Sequence, residues 1–137
     1  MKKTNLLLIL ILIPTFLITS IIYGQTKTHG VWSGTLTIME PAYGAPSTKI
    51  SGKIALNFDT KKGEYEIATI GKKDFDFKVT EINKKYDVEI ILDIPELELE
   101  ETYLRSINYS VNKIKLEGFR KKISPRVEII MEIVKEL

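Results

Sequence analysis

Beyond residue 30 the chain alternates apolar and polar positions with a period of two. That spacing sets one face of a β-strand on a core and the other in water. Trp32, Leu36 and Ile38 share a side with Gly34, against Ser33, Thr35 and Thr37. Ile50, Gly52, Ile54, Leu56 and Phe58 share the next, against Lys49, Ser51, Lys53, Asn57 and Asp59. Tyr65 and Ile67 alternate with Glu64 and Glu66, and Phe75, Phe77 and Val79 with Asp74, Asp76 and Lys78. Tyr86, Val88, Ile90, Leu92 and Ile94 oppose Asp87, Glu89 and Asp93. Ile114 and Leu116 oppose Lys113, Lys115 and Glu117, and Val127, Ile129, Met131 and Ile133 oppose Glu128 and Glu132. Tyr103–Tyr109 reads as a further strand. Short polar connections join antiparallel neighbours. The pattern therefore predicts an all-β domain, an antiparallel meander of about seven to nine strands in a small closed or partly open barrel.

Four connections carry paired cations: Lys61-Lys62-Gly63, Gly71-Lys72-Lys73-Asp74, Asn83-Lys84-Lys85 and Arg120-Lys121-Lys122. Alternate turns of a meander share an end, so Lys61-Lys62 and Lys84-Lys85 are expected to be neighbours. Such charges either keep loop tips soluble or form a basic rim for anionic head groups or glycans. Two stretches depart from the alternation. Glu40–Ser47 is a Pro/Gly loop with Tyr43 at its tip, long enough to cross a barrel mouth. Asp93–Val111 opens with Pro95-Glu96-Leu97-Glu98-Leu99-Glu100, which alternates as a strand would. The same residues fit a capping box followed by a short helix with Leu97, Glu101 and Leu104 on one face. The strict Leu/Glu alternation favours the extended form.

The first residues follow a different rule. Lys2 and Lys3 precede the run Leu6–Ile13, then Pro14, Thr15, Thr19 and Ser20, and Gly24 stands before Gln25. This predicts a signal peptide over 1–24, cleaved before Gln25, with a single barrel domain over 25–137. The alternative is an uncleaved anchor, since Leu6–Tyr23 reaches about 27 Å as a helix. Either way Lys2 and Lys3 stay inside and the domain is expected outside the cytoplasmic membrane, periplasmic or secreted. The segment also accounts for the charge. The net +2 disappears when Lys2 and Lys3 are removed, so no basic excess points to nucleic acid.

Chemistry is sparse. The chain has no Cys and one His, His29, which excludes a disulfide framework, thiolate chemistry and a two-His zinc motif. Ser33 lies near His29, but no G-x-S-x-G elbow and no third triad member stand at a defined spacing. On a strand, Glu96, Glu98 and Glu100 would form a row with about 7 Å between members. That row could meet a cation or serve acid/base chemistry, yet no Asp/Asn/Gly loop cages a metal. No phosphate or dinucleotide loop is present. The sequence predicts no catalytic residue, no metal site and no cofactor.

Gly30-Val31-Trp32 resembles the G-x-W motif of lipocalins. The broader pattern resembles the small lipocalin-like, calycin-type β-barrel domains of secreted bacterial proteins. It opens with Trp32-Ser33-Gly34-Thr35-Leu36 and closes with Ile114-Lys115-Leu116-Glu117-Gly118 and the apolar strand Val127–Val134. The resemblance implies a barrel with Trp32 at one end and a lipophilic ligand. An inward face with almost no polar atom suits either a dry core or a cavity for an apolar molecule. Candidate ligand contacts are Trp32, Phe58, Tyr65 and Phe77 inside and Tyr43 on the loop. The expected function is non-catalytic: binding of a small lipophilic molecule or, alternatively, interaction with an envelope protein or a surface glycan. The membrane is a partner only if the leader stays attached.

Overall fold

The computed structural model describes residues 28–81, 88–121 and 126–137. Eight strands follow in order: β1 (Val31–Glu40), β2 (Thr48–Asn57), β3 (Lys62–Ile67), β4 (Gly71–Glu81), β5 (Val88–Ile94), β6 (Leu99–Tyr109), β7 (Lys113–Phe119) and β8 (Glu128–Lys135). A single turn of 3-10 helix, η1 (Pro95–Leu97), separates β5 from β6. Each strand pairs antiparallel with the next, and β8 returns to β1, closing the barrel. The leader, Lys84-Lys85, Lys122 and the first residues of the Tyr86–Ile94 run (Tyr86 and Asp87) lie outside the described residues.

Register follows from the alternation, because a slip of one residue would turn every apolar side chain outward. Gly34, Leu36 and Ile38 of β1 face Ile133, Met131 and Ile129 of β8, and all three β8 partners are buried. The core gathers most of the predicted inward residues, with Ile50 and Val79 only partly buried against it, and adds Leu97, Leu99 and Leu104. Glycine is required where the wall closes most tightly. A Cβ on Gly34 would overlap the Glu132 carbonyl oxygen, and one on Gly118 would overlap that of Tyr103. These are backbone atoms that cannot step aside.

The cation pairs mark the turns only in part: Lys61, Arg120 and Lys121 lie in connections, whereas Lys62, Lys72 and Lys73 lie in strands. The β2–β3 connection is Phe58–Lys61, where the Asn57 side-chain oxygen accepts from the Asp59 and Thr60 amides at 3.0 and 3.1 Å. Such Asx bonding builds a turn without glycine, and Lys61 takes its left-handed position at φ 59°. Lys62 thus belongs to β3 and pairs with Asp76. Ala68–Ile70 form the β3–β4 turn, so Lys72 and Lys73 lie within β4 and pair with Glu64 and Glu96. These cations sit on the wall in ion pairs and form no basic rim at the turns.

Residues 95–98 are neither the expected strand nor the longer helix. Pro95 has no N–H for the ladder, and η1 forms with Glu98 N–H donating to the Pro95 carbonyl at 2.9 Å. Pairing resumes at Leu99 opposite Ile94. Glu96 lies in η1, Glu98 caps it at φ 54° and Glu100 lies in β6, so the carboxylates make no strand row. The 41–47 loop does not cross the mouth. Tyr43–Ser47 are all exposed, and the loop gives nothing to the core.

Candidate functional site

Odd strands run from one end of the barrel to the other and even strands return. One end therefore gathers the start of β1, the β2–β3 turn and the end of β8. Trp32 closes it from inside, 2% exposed, and its indole N–H donates to the His29 carbonyl at 3.0 Å. The bond satisfies the one polar atom that burial would otherwise orphan. The only histidine contributes its backbone here, and its side chain stays exposed. Phe58 lies past the end of β2 but is drawn inward, its amide donating to the Gly30 carbonyl at 2.9 Å.

From this end an aromatic chain runs through the interior. Trp32 meets Phe58 edge-on at 6.2 Å between centroids, and Phe58 meets Phe77 at 5.5 Å. Phe77 meets Phe75 at 6.3 Å, and Phe75 meets Tyr65 at 6.0 Å. These are the separations of favourable aromatic pairs. Four of the five candidate contacts are thus brought together, with Phe75 as a link not singled out from the sequence. Tyr43 is left apart, 93% exposed beyond the far end of β1.

Tyr65 ends this chain with a polar atom in a bad place. The residue is 1% exposed, and its hydroxyl has no hydrogen-bond partner among the described residues. It lies toward the η1 end: Tyr65 pairs with Lys73 across the β3–β4 ladder, and Lys73 reaches Glu96 of η1 at 3.4 Å. Burial pushes the phenol pKa up, and the nearby Glu96 carboxylate pushes it further. Both effects keep the hydroxyl protonated, a donor without an acceptor among the described residues.

η1 spans this second end. Leu97 points into the core at 6% exposure. On one side Lys73 holds Glu96. Glu96 is kept below the usual carboxylate range first by a backbone N–H of its own residue and then by Lys73. On the other side Arg120, which follows β7, donates to the Leu97 carbonyl at 3.1 Å and to Glu40 at 3.2 Å. Its other terminal nitrogen lies 3.2 Å from Glu98. Arg120 Nε is the second buried side-chain atom without a partner among the described residues. Glu98 and Glu101 both hold positive φ, 54° and 44°, uncommon for residues with a Cβ. Glu101 is bound by Lys121, which lowers the carboxyl pKa and raises that of the ammonium. An open cleft of about 360 Å³ lined by Glu98, Glu100, Arg120 and Lys121 lies outside the clasp.

The Trp32 end is legible in the sequence, and the Arg120 clasp on η1 is not. Arg120 was legible only as one cation of a basic turn, and its distant partners Glu40 and Glu98 carry no local signal. The geometry defines a closed eight-stranded antiparallel barrel, compatible with a calycin-like fold, with an apolar interior and different closures at its two ends. No protein-family model, curated protein or solved structure matches the chain.

Proposed function

We propose that this protein is a non-catalytic, calycin-type carrier or sensor of a small apolar molecule, working outside the cytoplasmic membrane. The aromatic chain from Trp32 to Tyr65 carries the reading. It is a continuous run of packed aromatic rings that leads from the Trp32 end toward η1, and its last member carries a buried hydroxyl without a partner among the described residues. A molecule held there would contact Phe58, Phe75, Phe77 and Tyr65, with Trp32 as the floor. Native mass spectrometry of the purified protein tests this. One non-peptide adduct per chain, released by organic solvent, is expected. A bare chain whose Trp32 emission also ignores added octan-1-ol would reject the reading.

A second reading, an interaction module for an envelope protein or glycan, draws on the outer wall. Leu104 pairs with Gly118, which sets Tyr103 beside Phe119, 56% and 43% exposed. The Arg126 guanidinium lies 3.8 Å over the Phe119 ring. The readings separate when Tyr103 and Phe119 are both replaced by Ser. A carrier keeps its adduct through that change.

A further inference from the structure

We propose that the Tyr65 hydroxyl, under η1, is the polar anchor of the interior site. Its partner is the oxygen of an uncharged amphiphile such as an alcohol, ester or ketone, admitted by lifting η1. The inference rests on the reading that the interior takes an apolar molecule, and it adds the chemical class and the entrance. A buried hydroxyl without a partner loses the hydration it had in the unfolded chain, so native structures rarely keep one. A ligand oxygen would satisfy it. The carboxylate of Glu96 is close enough to disfavour negative charge at that point. Around η1 the ion pairs join three carboxylates, Glu40, Glu96 and Glu98, to two cations, Lys73 and Arg120. An anionic head group would meet a net negative clasp, whereas a neutral acceptor would not.

η1 is fastened by Arg120 on one side and held only loosely on the other. Its Glu96–Lys73 pair joins side chains that are both nearly half exposed, and such pairs hold weakly. On one side of η1 the β5–β6 register shifts between Leu92 and Ile94. On the other stand Glu98 and Glu101 with positive φ. A segment with broken ladder pairing opens at lower cost than the strands around it. Opening withdraws Leu97 from the core and leaves a gap that an alkyl chain can fill.

Three probes of one chain length, octan-1-ol, octane and octanoate at neutral pH, are titrated against Trp32 emission, with wild type and Tyr65→Phe compared. Saturable binding of octan-1-ol and octane is expected, with octanoate weakest; octane, which has no hydroxyl to desolvate, is the control for the substitution and not for absolute affinity. Tyr65→Phe removes one oxygen and should lower octan-1-ol affinity about three- to tenfold, the worth of one hydrogen bond. It should leave octane unchanged. An unaltered or higher melting temperature of the variant would show that the fold is intact. Octan-1-ol affinity untouched by the substitution overturns the anchor and leaves the interior site standing. Octanoate binding tighter than octan-1-ol overturns the ligand class. No binding by any probe removes the interior site itself.

Discussion

Truncating Trp32 to Ala would empty the floor of the barrel and strand the His29 carbonyl that its indole now occupies. Deleting so large a buried side chain costs about 3–5 kcal/mol. Urea denaturation of Trp32→Ala should show that loss as an earlier midpoint. Because Trp32 is the only tryptophan, native emission should be blue-shifted and shielded from iodide. Gly34→Ala acts through the opposite fault, adding one methyl where the Glu132 carbonyl already stands. Over-packing of this kind costs about 1–3 kcal/mol, and thermal denaturation followed by circular dichroism should register it. Trp32 was legible because the alternation and the flanking Gly30 and Gly34 all point to one buried strand start. Gly34 was legible as inward, but not as indispensable. Its clash partner is a backbone atom almost a hundred residues away.

Among the elements, η1 is the one whose form the pattern hid. Leu97 and Leu99 are both buried, so a two-residue spacing survives across a turn of 3-10 helix and one left-handed residue. A period of two is then ambiguous between continuous strand and interrupted strand. Pro95 was the local clue, since it cannot donate to a ladder. Arg120 supplies the fastening, and its charge-assisted hydrogen bonds are worth about 1.5–3 kcal/mol each when made away from water. Arg120→Met should therefore speed hydrogen exchange at the Glu98 amide by about tenfold or more, with the central amides of β1 and β8 unchanged. Uniform acceleration across the barrel would instead make Arg120 a general stabiliser. The hairpin turns show a related limit. Lys61-Lys62 and Lys72-Lys73 mark connections to within a residue or two, because Asn57, not the lysines, sets the β2–β3 turn.

For the whole molecule, cross-strand charge pairs help to fix the outer wall. Lys53 opposes Glu66, Lys62 opposes Asp76 and Lys115 opposes Glu132 in register. Opposite charges at facing positions favour that pairing over its slipped neighbours. Titration should bound stability on both sides. Glu96 and Glu101 have lowered pKa values in the fold. Their contribution is present above the ordinary 4.5 and is lost as pH falls through the lowered values. Lys72, Lys121 and Tyr65 have raised values. Their contribution is full below the ordinary 10.5 for the lysines and 10.0 for the tyrosine, and is lost as pH rises through the raised values. Melting temperature against pH should show a plateau between those limits, and Tyr65→Phe should soften only the alkaline edge. The meander and the inward face could be read from period and turn spacing alone. Closure could not, because alternation says which side is buried and never which strands meet.

That closure has a consequence for how the chain reaches its final shape. β1 and β8 are the ends of the described sequence, yet Val31 accepts from the Glu136 amide and eight residues of β1 lie against β8. Every other pairing joins neighbours in the chain and can form early, whereas this one waits for the last strand. Until then the nascent sheet has two unpaired edges, and β8 offers the apolar Ile129, Ile130, Met131, Ile133 and Val134 between the charges of Glu128, Glu132 and Lys135. At high concentration the β8 edge of one molecule is as good a template for the β1 edge of another as for its own. Refolding under those conditions should yield strand-exchanged dimers with the circular dichroism of the monomer, and dilution before refolding should suppress them.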